Sequence, residues 1–569
     1  MKEILLNKPG KKIILLGNEA IVRGALEAGV NFVSTYPGTP ASEIGDIFFR
    51  IAKKVGVYFE FSTNEKVALE AGIGASFSGL KTLVAMKSFG INVALDSLLP
   101  LAYTGTKGPM VIISADDPNC WSSAQSEENS RGFAYLSHIP ILEPSDPQEC
   151  KDFTRLAFQI SEKFKIPVMI RTTTRVAHQK ALVKLGTLRR SNLRKTGFIK
   201  EPRRFVTLPP RVLEMKKELL EKIEKIKEFS EKSPTNYEFN RITNKKIGII
   251  TSGISYLYVR EALKELNLNL PVLKLGFFYP LPEKKIRNFI KKFKKVLIVE
   301  ELEPYLEKEV ERLAKDVNPK LQIIGKELIS EVGELKPEIV TSAVAKFIGR
   351  KLEIRNSKLE ILAIKHLPRF CPGCPYWSVF AAVKKVAPKN TVFGGDIGCY
   401  MLAGTPQISA QDYLLAMGSS IGIAHGISQS KVKSQKSKVI TFIGDSTFFH
   451  AGIPALINTV FNKSNPLIII LDNGTTAMTG HQPHPGTSLR TDSEYKFEWE
   501  GYPPSLKTKE RPIQIEEVVR GCGVKNLKIV NSFNLKEIEK AVKEFLPKKE
   551  TAVIIARGIC ALLGKYLNE

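Results

Sequence analysis

The sequence predicts a multi-domain α/β protein of doubly wound parallel sheets, and three observations predict it. Short aliphatic runs alternate with longer amphipathic stretches over most of the chain, as in KKIILLG, NEAIVRGALEAGV and NFVSTYPG. Several runs stop on Gly, Asp or Asn where a helical pattern begins, as strands do at the ligand-binding edge of an open sheet. The length, 569 residues, is enough for about three to four domains.

The elements follow in order. KKIILLG is a strand, NEAIVRGALEAGV a helix, and NFVSTYPG a strand and loop. VYFEFST is a strand that leads into the helix NEKVALEAGIGASFSGL, and KTLVAMK and PMVIISADD are further strands. Residues 1–194 are therefore read as one α/β domain, and 195–244 as a charged helical connector with loops at KTGFIKEPRRF and EKSPTNYEFN. A second α/β domain, 245–352, opens at KIGIITSGISYLYVREALKEL and continues through PVLKLGFFYPLP and KVLIVEELEPYLEKEVERLA. The third, 353–569, carries the strands TVFGGD, KVITFIGD, PLIIILDN and TAVIIARG, and coarsely resembles the first.

Composition excludes several classes. No run of 18 apolar residues occurs, so no membrane span is expected, and the basic start of the chain has no cleavage site that would make it a signal peptide. Seven cysteines is an odd number in so long a chain, which argues against a secreted disulfide framework and for a cytoplasmic protein. The net charge of +26 comes largely from Lys spread over helix faces such as EMKKELLEKIEKIKEF. That pattern is read as a solvated Lys- and Glu-rich surface of thermophile type, able to dock an acidic protein such as a ferredoxin, rather than as a nucleic-acid site.

The stretch GDSTFFHAGIPALINTVFNKSNPLIIILDN, residues 444–473, reads as strand end, helix and second strand. A crossover this short makes the two strands parallel, so Asp445 and Asn473 stand at the same sheet edge although 28 positions apart. A carboxylate and an amide oxygen suit Mg²⁺, and the helix start after Gly444 suits a diphosphate. Glu65, in STNEKVALE, opens another helix at another strand end, behind Asn64 as N-cap. By itself that is a capping arrangement. Beside a diphosphate–Mg²⁺ site it is also what a thiamine diphosphate enzyme needs, because the aminopyrimidine of that cofactor requires a carboxyl partner. Cys371 and Cys374, in FCPGCPYW, form a C-x-x-C pair, and Cys399 follows in GGDIGCY. A cubane cluster takes four thiolates. Cys560, after the strand TAVIIARG, is the leading fourth candidate and Cys522 the rival. His481 and His484, in GHQPHPG, follow the metal motif and are read as substrate-binding or proton-shuttling candidates. Arg171, Arg175 and His178 in RTTTRVAH are read as an interdomain contact.

Ten ordered motifs carry a resemblance over nearly the whole chain: STYPGTPASE, STNEKVALE, SADDP, LEPSDPQE, RTTTRVAH, CPGCPYW, GDIGCY, GSSIGIAHG, GDSTFFH and DNGTTAMTGHQPHPGT. Together they resemble the large subunit of indolepyruvate:ferredoxin oxidoreductase, among the thiamine diphosphate-dependent 2-oxoacid:ferredoxin oxidoreductases. The resemblance implies two thiamine-binding-type domains, pyrimidine-binding at 1–194 and diphosphate-binding at 353–569, with a transketolase C-terminal-like domain at 245–352. It implies that Asp445, Asn473 and the carbonyl of Thr475 hold Mg²⁺, that Glu65 is the aminopyrimidine partner, and that Thr39 lies near the substrate carboxylate. Gly418, Ser419, His425, Met478 and Thr479 would line the cofactor pocket with Gly444 and Ser446, and His481 would act on substrate. Cys371, Cys374, Cys399 and Cys560 would hold a [4Fe–4S] cluster.

The reaction so implied is oxidative decarboxylation of an aryl 2-oxoacid to acyl-coenzyme A, with electrons going to ferredoxin. A smaller partner subunit, in a dimer of heterodimers, is implied with it. A non-oxidative decarboxylase or carboligase and a non-catalytic basic scaffold are the rival readings. The family pattern adds a cysteine-rich ferredoxin-like domain; the sequence ends at ALLGKYLNE before one, so electrons are expected to leave through a partner. CPGCPYW stands where the family has CPGCPHR, and the stretch SEYKFEWEGYPPSLKTKERP lengthens the loop after the metal motif.

Overall fold

The computed structural model describes residues 3–122, 125–189, 197–240, 246–350, 369–429, 438–487 and 512–563. The chain forms two compact units, Met1–Asn356 and Ser357–Glu569. The long loop after the metal motif lies almost wholly outside the described residues, as do the three boundaries read from the sequence.

The first unit is built on a seven-stranded sheet. Across it run Phe277–Tyr279, Ile141–Leu142, Val168–Thr173, Met110–Asp116, Thr82–Lys87, Phe32–Thr35 and Tyr58–Phe61. All are parallel except the first, which pairs antiparallel with Ile141–Leu142. Thr82–Lys87 and Met110–Asp116 are buried along their whole length, which explains why their sequences are continuous rather than alternating. The second sheet has five strands in the order Gln322–Ile324, Lys295–Val299, Ile247–Ser252, Val272–Leu275 and Asn236–Phe239.

KKIILLG is a strand as read, and it lies outside the main sheet. Its strand, Lys12–Leu16, pairs antiparallel with Lys180–Lys184 in a separate ribbon. Alternate residues face solvent, with Ile14 61% exposed, as a two-stranded ribbon requires and an interior parallel strand does not. The loop read at EKSPTNYEFN contains the strand Asn236–Phe239, antiparallel to Val272–Leu275. Asn236 makes the chain change sheets after that neighbour. Its side chain accepts from the N–H groups of Gly276 and Phe277 and donates to Ser230 O, which releases Phe277–Tyr279 to the other sheet.

Buried ion pairs join the two sheets of this unit. Arg131 donates to both oxygens of Glu143 at 2.6 and 2.7 Å and to Glu300 at 2.6 Å. The fully buried Lys274 pairs with Glu149 and donates to Ser145 Oγ. Such charges are tolerated inside only when paired and hydrogen-bonded, as these are.

The second unit carries a five-stranded, all-parallel sheet in the order Val392–Gly394, Val439–Gly444, Leu467–Asp472, Ala552–Arg557 and Asn526–Asn531. The sequence does not mark the strand Asn526–Asn531, an edge strand whose positions are mostly half-buried and whose apolar residues, Leu527, Ile529 and Val530, are broken by Lys528. Val439–Gly444 and Leu467–Asp472 are neighbours with Gly444 opposite Leu471. The helical segment between them contains one wide turn, Phe448–Gly452, of the i→i+5 kind that frequently marks functional sites. No helix among the described residues is long and apolar enough to cross a membrane.

Candidate active site

In the second unit the two adjacent strand ends deliver Asp445 and Asn473 to one edge. Asp445 Oδ1 accepts from Ser446 N–H at 2.8 Å, and Oδ2 accepts from Asn473 N–H at 3.1 Å and Gly474 N–H at 2.8 Å. Asn473 Oδ1 accepts from Thr475 N–H at 3.0 Å, and Thr476 donates its hydroxyl to Ser446. Asp445, Asn473 and Thr475 are all buried. The loop beyond folds back through Thr476 N–H to Gln482 O and His481 N–H to Thr476 O. Within it Thr479 Oγ1 donates to the buried Gln482 at 2.6 Å, while Met478 is half-exposed.

Gly418 and Ser419 open the helix Ser419–Gln429 beside this edge. Gly418 has φ +85°, and a Cβ there would sit 2.4 Å from Ala451 Cβ, so only glycine lets the helix start approach the wide turn. Asp396, not singled out in the sequence, fixes that start. Its carboxylate accepts from Gly418 N–H at 2.7 Å, Ser420 N–H at 2.9 Å and Ile397 N–H at 2.7 Å. Burial pushes its pKa up to about 6 against those donors. Its signal was present in GGDIGCY, an Asp two residues past a strand. His425 goes elsewhere. Its Nδ1 meets Ser464 Oγ at 2.9 Å, just before the start of Leu467–Asp472 and therefore at the opposite edge of the sheet from Asp445. Two helical turns separate it from Ser419, which is why one motif, GSSIGIAHG, spans both edges.

Cys371 and Cys374 sit in the turn before the helix Pro375–Val386, Cys399 opens the turn Cys399–Gly404, and Cys560 follows the strand Ala552–Arg557. Burial pushes the Cys374 thiol up to about 11, with Cys560 and Cys371 adding to the rise. Cys399 is pushed up to about 12 by burial and then by Cys560, Cys374 and Cys371. Cys374 and Cys399 thus both lie within electrostatic reach of Cys371 and Cys560, whereas the rise at Cys522 comes from burial alone. Among the described residues no group of three or more His, Cys, Asp or Glu side chains is closed enough to hold a metal ion. His481, at φ +64°, has its Nε2 3.6 Å from Cys560 Sγ, and burial lowers its pKa. Tyr376, one of the aromatic departures, is buried; its hydroxyl is pushed up by burial and then by the charges of Asp445, Cys399 and Cys374.

In the first unit Asn64 caps the helix Glu65–Phe77, its Oδ1 accepting from Val67 N–H at 2.8 Å. Glu65 is buried, and Gly90 makes the room: a Cβ on Gly90 would meet Glu65 Cγ at 2.5 Å. Thr39 accepts from Ser122 Oγ through its carbonyl at 3.0 Å. Beside it stands Lys87, missed by the sequence reading because it ends an apolar strand, with Nζ 3.1 Å from Asp117 Oδ2 and 3.0 Å from Ser122 Oγ. Burial lowers the Lys87 pKa against the pull of Asp117. Burial also works to raise Asp117, but the charge of Lys87 and hydrogen bonds from Thr174 and Ser122 outweigh it and hold the carboxyl at about 2. RTTTRVAH makes contacts between the two sheets of this unit, Arg175 pairing with Glu334 at 2.9 Å.

Residues 23–231 match the thiamine diphosphate-binding family of pyruvate flavodoxin/ferredoxin oxidoreductases. Residues 239–365 match the indolepyruvate oxidoreductase domain, and 396–556 the C-terminal thiamine pyrophosphate-binding domain of thiamine pyrophosphate enzymes. The chain is 42% identical over 590 residues to indolepyruvate oxidoreductase subunit IorA of Pyrococcus horikoshii, covering 100% of this chain and 88% of the relative. The chain belongs to the IorA family of thiamine diphosphate-dependent 2-oxoacid:ferredoxin oxidoreductases. The IorA of Methanothermobacter thermautotrophicus is also 42% identical, over 99% of this chain and 89% of its own. Among solved structures, a 2-oxoglutarate:ferredoxin oxidoreductase from Magnetococcus marinus is similar with a TM-score of 0.48 at 17% identity, over 59% of this chain and 65% of that one. The family thus matches the resemblance carried by the ten motifs.

Proposed function

We propose that this chain is the catalytic subunit of an enzyme that oxidatively decarboxylates an aryl 2-oxoacid of the indolepyruvate or phenylpyruvate kind. The 2-oxoacid anion and coenzyme A give acyl-coenzyme A, carbon dioxide and a proton, and the two electrons released reduce two ferredoxins. The observation that supports this most is the pair Asp445 and Asn473, buried on neighbouring parallel strand ends with Thr475 folded onto Asn473. That is an all-oxygen donor set with one full negative charge, as Mg²⁺ with a diphosphate prefers.

In this reading Asp445, Asn473 Oδ1 and the Thr475 carbonyl would hold Mg²⁺. Gly444, Ser446, Gly418, Ser419, Met478 and Thr479 would line the pocket. When bound, thiamine diphosphate supplies the carbanion-stabilising centre that decarboxylation of a 2-oxoacid requires. Glu65 would hold a proton against the aminopyrimidine, in the space that Gly90 leaves. Thr39 would receive the substrate carboxylate, and His481 would face the acyl end. Cys371, Cys374, Cys399 and Cys560 supply the kind and number of donors a [4Fe–4S] cluster takes, and the electrostatic influence of Cys371 and Cys560 on Cys374 and Cys399 supports that choice over Cys522.

The domain division 1–194, 195–244, 245–352 and 353–569 belongs to the same proposal. So do a smaller partner subunit, assembly as a dimer of heterodimers in the cytoplasm, and a ferredoxin drawn by the basic surface. The test is the protein purified without air together with its partner subunit. Stoichiometric thiamine diphosphate, iron and acid-labile sulfide are expected, with ferredoxin reduction that needs both an aryl 2-oxoacid and coenzyme A. Iron-free protein that turns the same 2-oxoacid into an aldehyde would refute it in favour of a decarboxylase.

A further inference from the structure

We infer that His484 is a positioning residue for Asp445, deciding which carboxylate oxygen is left for a divalent cation. The inference rests on the proposed function, since it concerns the Mg²⁺ end of that site. His484 Nε2 lies 3.1 Å from Asp445 Oδ2, and both side chains are 3% exposed. The tautomer is set by the other ring nitrogen. Gly486 N–H donates to His484 Nδ1 at 3.1 Å, which places the ring proton on Nε2, pointing at Asp445. Oδ2 therefore receives three donors: Asn473 N–H, Gly474 N–H and His484 Nε2–H. Oδ1 takes the N–H of Ser446 and is the oxygen left to face a cation.

The imidazole cannot turn away. Its backbone N–H donates to Thr487 Oγ1 at 3.0 Å and its carbonyl accepts from Thr487 N–H at 2.8 Å. Phe449 packs on the ring with centroids 5.7 Å apart. At Gly486 a Cβ would lie 2.7 Å from Phe449 and 3.2 Å from His484 Cε1, so that glycine closes the turn against both rings. With both nitrogens committed, this histidine orients a carboxylate rather than shuttling protons. Hydrogen bonds that orient ligating groups typically carry about 10–100-fold in metal affinity.

The experiment titrates Mg²⁺ by calorimetry into metal-free full-length protein at saturating thiamine diphosphate, and follows thermal unfolding of the metal-free form. His484→Phe keeps the ring and removes the donor; His484→Gln returns an N–H near the Nε2 position. The expected result is Mg²⁺ affinity weakened about 10–100-fold in His484→Phe and largely restored in His484→Gln, at similar unfolding temperatures. Wild-type uptake of Mg²⁺ with unchanged affinity in His484→Phe would overturn this inference alone. Losses in both variants that track their unfolding temperatures would also overturn it, leaving a packing role. Wild-type protein that takes up neither cofactor nor Mg²⁺ would overturn the proposed function, and the inference with it.

Discussion

Gly90→Ala isolates the role of Glu65 from that of an ordinary helix-capping acid. Gly90 lies inside the helix Ser88–Thr104 and has no left-handed backbone requirement, so on propensity alone alanine should stabilise by about 1 kcal/mol. The structure opposes this. The new methyl would stand 2.5 Å from Glu65 Cγ, 3.0 Å from Glu65 Oε1 and 3.0 Å from Met86 Cβ. Something must move, and the flexible Glu65 side chain moves most cheaply, at about 0.5–1.5 kcal/mol for an off-rotamer torsion. Propensity gain and strain thus nearly cancel, and the unfolding free energy should change by less than about 1 kcal/mol.

Function should not cancel. A carboxyl displaced by about 1 Å from its working position can lose about 10²-fold in rate. The assay is exchange of the C2 proton of bound thiamine diphosphate, followed by quench and NMR, beside thermal unfolding. Exchange slowed about 10²-fold at nearly unchanged stability is expected. A variant stabilised by the full propensity term, with wild-type exchange, would show that Glu65 is free to move or does not act on the cofactor.

Three further outcomes follow from the geometry. Asp445→Ala should abolish cofactor uptake with Mg²⁺ in calorimetry, and should also lower stability by about 1–3 kcal/mol for each N–H it orphans among Ser446, Asn473 and Gly474. Cys560→Ser should lose iron and keep thiamine diphosphate, whereas Cys522→Ser should lose neither, as metal analysis of anaerobic protein would show. His178 is raised above its ordinary 6.5 by its hydrogen bond to Glu43, with burial opposing. A raised histidine stabilises fully below its unfolded value and loses that contribution as pH rises through the folded one. Unfolding temperatures of wild type and His178→Gln should therefore differ more at pH 6 than at pH 8.5, and an equal difference at both would refute the pairing.

Glu65 behind its Asn64 cap and the Asp445–Asn473 pair were legible because each rests on local signals. A β-branched run, a stop on a small polar residue and a helical period determine a strand end, and a short crossover makes neighbouring strands parallel. Residues at those ends then reach one edge whatever the rest of the chain does. The sequence by itself therefore determined the α/β class, most strands of the two larger parallel sheets and the carboxylate at the edge. It could not determine partners that meet only across the fold. Asp396 reaches Gly418 over 22 residues, His484 reaches Asp445 over 39, and Lys87 reaches Asp117 over 30. No local period encodes such approaches. The same limit left open which sheet KKIILLG joins, because apolar content does not say whether one face or two will be covered. The resemblance assigned His425 to the pocket together with Ser419, and no local period could show that its ring nitrogen meets Ser464. Tertiary packing alone chose between those alternatives, by burying one set of hydrogen-bonding groups where only a matching partner could satisfy them.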